Sequence, residues 1–158
     1  MESERLIFRE LNISDATRLF EIYSDKDAMK YRQSKPHKTL EDTLAMLKRD
    51  EEVKASKYEF RFGIIEKDSG QLIGTIMYQP IYSKAIIGYS FAKDSWGNSF
   101  ATEVVKWIIS YLITKNFKTI EAWVINENIA SCKVLEKNHF RLVSQTIYPA
   151  SKYYQLNI

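Results

Sequence analysis

Gly88-Tyr89-Ser90-Phe91-Ala92-Lys93-Asp94-Ser95-Trp96-Gly97-Asn98-Ser99-Phe100-Ala101-Thr102-Glu103-Val104-Val105-Lys106-Trp107-Ile108-Ile109 is the stretch that decides the fold. It reads as a strand that ends in a small polar turn and opens at once into an amphipathic helix. From Ala101 the apolar positions run Ala101, Val104, Val105, Ile108, Ile109 and Leu112. That spacing lays them on one helical face. The turn Trp96-Gly97-Asn98-Ser99 carries little aliphatic bulk after its tryptophan. Such a turn lets the first free backbone N–H groups of a helix point outward together, at the positive end of the helix dipole. An anion site is therefore expected at residues 97–102.

Outward along the chain, Asn128 reads as the N-cap of a short helix, with Ser131 three residues on and an end near Asn138. Strand-like runs flank it at Thr119–Ile125 and Phe140–Gln145. Toward the N-terminus, Leu6–Arg9 reads as a first strand. Ser14 and Asp15 are expected to cap a helix with Ala16, Leu19, Phe20 and Tyr23 inward. Residues 30–38 read as a basic loop with Lys30, Arg32, Lys35 and Lys38 around Pro36 and His37. Thr39 starts a second helix, with Asp42 as an imperfect partner for a capping box. Phe60–Glu66 and Gln71–Tyr78 form a hairpin about Lys67-Asp68-Ser69-Gly70. A further strand covers Ile86–Phe91, and two terminal strands flank Pro149. The order β-α-α-β-β-β-α-β-α-β-β implies a mixed sheet with helices on both sides.

Composition narrows the function. A chain of 158 residues, 45% hydrophobic and 27% charged, has the size and balance of one globular domain. No apolar run reaches a membrane span, and Met1-Glu2-Ser3-Glu4-Arg5 shows no secretory pattern. The one cysteine, Cys132, excludes an intrachain disulfide and fits a cytoplasmic protein. The formal charge of +3 comes from 23 basic and 20 acidic residues, too even to suggest nucleic acid. No basic cluster interleaves with aromatics, and there are no repeats. Two histidines and one cysteine offer no metal-ligand spacing.

The paired motifs resemble the GNAT superfamily of N-acetyltransferases, and within it the branch of ribosomal-protein N-terminal acetyltransferases. The residues that carry the likeness are Trp96-Gly97-Asn98-Ser99-Phe100-Ala101-Thr102-Glu103-Val104 and Asn128-Ile129-Ala130-Ser131-Cys132-Lys133-Val134-Leu135-Glu136-Lys137-Asn138-His139-Phe140, with the opening Glu4-Arg5-Leu6-Ile7-Phe8-Arg9. It covers almost the whole chain, so residues 1–158 are expected to form a single N-acetyltransferase domain. The implied fold is the mixed α+β (α/β) acyl-CoA N-acyltransferase fold. Its sheet has six to seven mostly antiparallel strands, flanked by helices and splayed between the fourth and fifth.

The resemblance implies direct acetyl transfer from acetyl-CoA to a primary amine, either a protein N-terminus or a small amine, with no metal. Trp96, Gly97, Asn98, Ser99, Phe100, Ala101 and Thr102 would take the pyrophosphate. Tyr89, Ser90 and Phe91 would pair with the pantetheine arm as an added strand, a backbone N–H near Phe91 serving the oxyanion. Asn128 would contact the cofactor. Ser131 would be catalytic, beside the cofactor sulfur, helping to protonate or stabilise the leaving thiolate. Leu135 stands where many superfamily members carry a tyrosine for that task, and Ser99 stands in place of the motif glycine.

The residues leave several readings open. Ser131 also fits a helix-start residue that bonds backbone, and Gly88–Phe91 fits plain sheet core. His37, Glu21, Tyr82 and Tyr89 are candidate bases. Tyr78, Tyr82, Lys84 and loop 30–38 are candidates for the acceptor side. Cys132 lacks a nucleophile's partners and reads as a buried thiol. Asn138 or His139 takes the left-handed residue that ends the helix. Trp107 and Tyr111 pack in the core or against a second copy, leaving a homodimer possible. A second function fits the same fold: a catalytically weak or inactive module that binds coenzyme A or an acyl-CoA.

Overall fold

The apolar stripe that begins at Ala101 lies against a sheet whose seven strands run in the order β1-β2-β3-β4-β5-β7-β6. The computed structural model describes residues 1–32, 34–146 and 150–158. The elements follow the expected order: β1 (Leu6–Arg9), α1 (Ala16–Ser24), α2 (Leu40–Ala55), β2 (Phe60–Glu66), β3 (Leu72–Ile81), β4 (Lys84–Phe91), α3 (Phe100–Thr114), β5 (Thr119–Ile125), α4 (Ile129–Lys137), β6 (Arg141–Gln145) and β7 (Ser151–Asn157). Pro149, the expected pivot of the last two strands, lies outside the described residues.

Every neighbouring pair is antiparallel except β4 and β5. Those two are parallel because α3 carries the chain back over the sheet before β5 begins. The core is split by the sheet. On one face Phe8, Ile64, Ile76, Ile87 and Ile120 pack with Val104, Ile108 and Leu112 of α3 and Leu135 of α4. On the other, Ala16, Leu19 and Tyr23 of α1 and Leu47 of α2 cover Ile65 and Leu72. Trp107 stacks on Phe8 at 3.6 Å and on Tyr111 at 5.4 Å, and meets Phe62 edge-on at 5.9 Å. The aromatic pair on α3 is therefore spent inside the chain.

Local chemistry differs from the sequence reading in several places. The turn before α1 is capped by Asn12, whose Oδ1 accepts from Ser14 N at 2.9 Å. Asp15 completes this box by accepting from Asn12 N at 2.9 Å and also takes a bidentate bond from Arg9, both contacts at 2.7 Å. Phe20 is half-buried, and Ile22 takes the inward place. The box at α2 is complete despite the short reach of Asp42, whose carboxylate accepts from Lys38 N at 2.7 Å and Thr39 N at 3.0 Å. β3 runs on past Pro80 to Ile81 because Pro80 sits one residue from the hairpin end, opposite Ala85. The hairpin then turns at Tyr82 and Ser83, and Lys84 already belongs to β4.

Candidate active site

The site is built where β4 and β5 part. They pair only at Lys84–Thr119, Ala85–Ile120 and Ile86–Glu121. Beyond that point β4 stays on β3 as far as Phe91, and β5 stays on β7 as far as Ile125. A wedge therefore opens beside residues 87–91, as the expected splay requires. Antiparallel alternation decides which groups face it. Ala92 N donates to Ile73 O at 2.8 Å, so Ser90 turns its backbone groups to β3 while Tyr89 and Phe91 turn theirs to the wedge. Gly74 permits the close packing of this pair, since a Cβ there would stand 2.3 Å from Ser90 O. Ser90 offers the wedge neither backbone edge nor side chain. Its side chain is buried on the α1/α2 face, opposite Tyr89.

At the end of β4 the chain turns through Lys93–Ser95 into Trp96 and the start of α3. Gly97 adopts φ +81° with open space around it, and Ser99 adopts φ 61°, ψ 14°, both left-handed. The two positive-φ residues curl the turn so that its amides face outward. Among the described residues, no acceptor meets the N–H groups of residues 97–101. Free amides at the positive end of a 15-residue helix fit a diphosphate. The turn is fixed by its neighbours: Asn98 Nδ2 reaches Ser95 O at 3.2 Å, and Trp96 Nε1 reaches Phe91 O at 3.4 Å.

A carboxylate in the first turn of α3 would repel an anion, and the structure neutralises it. Glu103 accepts from Arg5 Nε at 2.8 Å, Arg5 N at 2.8 Å and Ser3 Oγ at 2.7 Å. These bonds hold its carboxyl below the ordinary range although partial burial opposes them. Arg5 also donates to Asn98 O at 3.0 Å and lies over the Phe100 ring, 4.6 Å from its centroid. The N-terminal strand thus pins the turn.

On the other side of the wedge, Asn128 Oδ1 caps α4 by accepting from Ser131 N at 3.2 Å. This leaves the Ser131 hydroxyl free of the backbone, and it meets Tyr89 OH at 2.7 Å. Burial pushes the Tyr89 phenol up to about 12, Ser131 only partly offsetting it, so Tyr89 is protonated at neutral pH and is no base. Cys132 is buried in the core. His139, at φ 66°, takes the left-handed position that ends α4.

The other candidate bases fall away or stand apart. Glu21 is exposed and paired with Arg18 at 2.9 Å. Tyr82 is fully exposed at the tip of the β3–β4 hairpin. That tip is the closed end of the wedge, so Tyr82 and Lys84 do not line its mouth; Lys84 pairs with Glu121 at 2.9 Å. Tyr78 is buried on the α3 side, stacked on Phe60 at 4.9 Å. His37 lies beside Tyr23 with Nδ1 2.8 Å from Thr43 Oγ1. Burial lowers its pKa, the charge of Asp42 opposing, so the imidazole is neutral at pH 7.

A depression of about 370 Å³ lies where α1 meets the residues after β4, lined by Arg18, Glu21, Asp25, Lys93 and Asp94 among others. Among the described residues, no helix is long and apolar enough to cross a membrane, and no group of three metal-ligating side chains occurs.

A sheet opened between parallel neighbours, beside a helix with free leading amides, offers an extended phosphate-bearing ligand a backbone edge and an anion site. The model of the acetyltransferase (GNAT) domain matches residues 5–141, and the chain belongs to that family of acetyltransferases. It is 32% identical to the uncharacterized N-acetyltransferase p20 of Bacillus licheniformis over 143 residues, covering 88% of this chain and 80% of that one. Solved structures share the fold, two of them with coenzyme A bound. RimL, a ribosomal L7/L12 alpha-N-protein acetyltransferase in complex with coenzyme A, superposes with a TM-score of 0.88 at 16% identity, covering 99% of this chain and 96% of that one. Spermidine N-acetyltransferase from Vibrio cholerae, in complex with CoA and spermine, gives 0.85 at 19%, covering 98% and 96%. At these identities the likeness establishes the fold alone.

The turn yields its own test. Ser99 pays a left-handed backbone penalty of about 1–2 kcal/mol that glycine avoids, against about 0.4–1 kcal/mol of added unfolded-state entropy. Ser99→Gly is expected to keep or raise the melting temperature and to keep or tighten coenzyme A binding by calorimetry. A tenfold loss of affinity would show that the Ser99 hydroxyl is itself a phosphate ligand.

Proposed function

We propose that this acetyltransferase moves an acetyl group from acetyl-CoA directly to a primary amine, without a metal. The observation that carries the reading is the wedge: one backbone edge of β4 left unpaired, ending at free helix amides. Residues 97–102 hold the diphosphate, and the Tyr89 and Phe91 edge pairs with the pantetheine amides as an added strand would. A main-chain N–H of that edge faces the thioester carbonyl and stabilises its developing oxyanion. Asn128 holds the start of α4 against the cofactor, and Ser131 stabilises the departing thiolate. Bound there, acetyl-CoA supplies the activated acyl group.

The acceptor is a primary amine, of either a protein N-terminus or a small molecule. It enters from the face opposite α3 and α4. The depression there carries Glu21, Asp25 and Asp94 beside Arg18 and Lys93, polar groups of both signs that an ammonium group can meet. The test is thiol release from acetyl-CoA across a panel of N-terminal peptides, amino acids, polyamines and aminoglycosides. Turnover with any of them supports transfer. Tight coenzyme A binding with no turnover across the panel would instead favour a binding module.

A further inference from the structure

The Tyr89–Ser131 contact joins the two elements on either side of the wedge. Tyr89 stands on β4 at the unpaired edge, Ser131 on the first turn of α4, and their hydroxyls lie 2.7 Å apart. Each hydroxyl has one proton to give. If Ser131 gave its proton to Tyr89, none would remain for any group in the wedge. The buried phenol would then also be left with its own proton unplaced. If Tyr89 gives, the Ser131 O–H is free to point elsewhere. A phenol is far more acidic than an aliphatic hydroxyl, so Tyr89 is the better donor of the two. With Tyr89 as the donor, a rotor that would otherwise sample three wells is confined.

We propose that Tyr89 is a positioning residue: by donating its phenolic hydrogen to Ser131 Oγ, it leaves the Ser131 hydroxyl a single useful direction, toward the thioester sulfur. This rests on the role given to Ser131 under Proposed function. Ser131 donates a hydrogen bond to the sulfur on which the electron pair of the breaking C–S bond collects. No proton changes owner in that step, and Tyr89 keeps its own throughout. The high phenol pKa keeps that donor in place across the working pH range.

Tyr89→Phe keeps the ring and its edge contact with Phe91 while removing the donor. The first readout is the thiol titration of bound coenzyme A, followed by thiolate absorbance against a desulfo-coenzyme A control. Its midpoint is expected about one pH unit higher in Tyr89→Phe than in the wild type, as the loss of an aligned hydrogen bond to a charged group predicts. The second is kinetic: kcat is expected to fall about tenfold, with KM for acetyl-CoA within twofold. Tyr89→Phe/Ser131→Ala should be no slower than Ser131→Ala. An unmoved midpoint, or losses that multiply in the double variant, would overturn the assignment. If the wild type itself turns over no amine, the transfer reading fails, while the titration still reports on Tyr89 and Ser131.

Discussion

Ser131→Ala is expected to lower kcat about 100-fold, with the dissociation constant of acetyl-CoA within threefold of the wild type. The hydroxyl acts on charge that appears only as the C–S bond breaks, so its loss should fall on kcat rather than on binding. Alanine suits this place in the helix. The Ser131 N–H keeps its bond to Asn128, and among the described residues the hydroxyl's side-chain partner is Tyr89. The change does leave the Tyr89 phenol buried without its partner, which costs about 1–3 kcal/mol of stability. A thermal melt beside the kinetics separates the two effects. A fall in affinity with normal single-turnover rates in the bound complex would assign Ser131 to binding and remove it from the chemistry.

The fold was legible because its signals are local. The stripe from Ala101 to Leu112, the Asn128 cap and the hairpin at Lys67–Gly70 each state their structure within a few residues. Together they order the strands, and the right-handed crossover fixes β5 beside β4. The turn with its free amides was legible for the same reason, since a glycine-bearing turn before an apolar stripe is a contiguous pattern. Errors fell where a pattern had two local solutions. Asn12, Ser14 and Asp15 can all cap a helix start, and only the structure shows Asn12 as the cap, with Asp15 closing the box while it holds Arg9.

What stayed hidden is chemistry between distant segments. Arg5 and Glu103 both lie in family-like motifs, but nothing local says that they meet across 98 positions to shield the anion site. Tyr89 carried the expectation of a pantetheine contact, and its bond to Ser131 spans 42 positions. Strand alternation could have placed the Tyr89 side chain on the helix side, with Ile87, and Ser90 on the other. Pairing it with one particular residue of α4 required the fold.

Arg61→Met is expected to destabilise the protein by about 3–5 kcal/mol, lowering the melting temperature by roughly 10 °C. Arg61 lies between β2 and α2 with its side chain 9% exposed. Its Nη2 meets Glu59 Oε1 at 2.7 Å, and its Nε stands 2.9 Å from Asp50 Oδ2. The second contact is an ion pair at a poor hydrogen-bond angle, which leaves both Asp50 oxygens buried without a hydrogen bond. Burial accordingly raises the Asp50 pKa even though Arg61 opposes it. Removing the guanidinium strands the carboxylates of Asp50 and Glu59, leaving among the described residues the outlying Arg49, 3.6 and 3.7 Å away, and Gln79, 2.9 Å from Glu59, to meet them. The sign of the pH dependence follows from Asp50. A carboxyl whose folded pKa stands above its unfolded value binds its proton more readily in the native state. Its stabilising contribution is full below the unfolded pKa and is lost as pH rises through the folded one. Without Arg61 that folded pKa climbs further, so the deficit should be largest at pH 7 and shrink toward pH 5. Urea melts of both proteins at the two pH values measure it. A loss below about 1 kcal/mol, or one that does not change with pH, would show that the guanidinium is not what keeps these carboxylates tolerable in the interior.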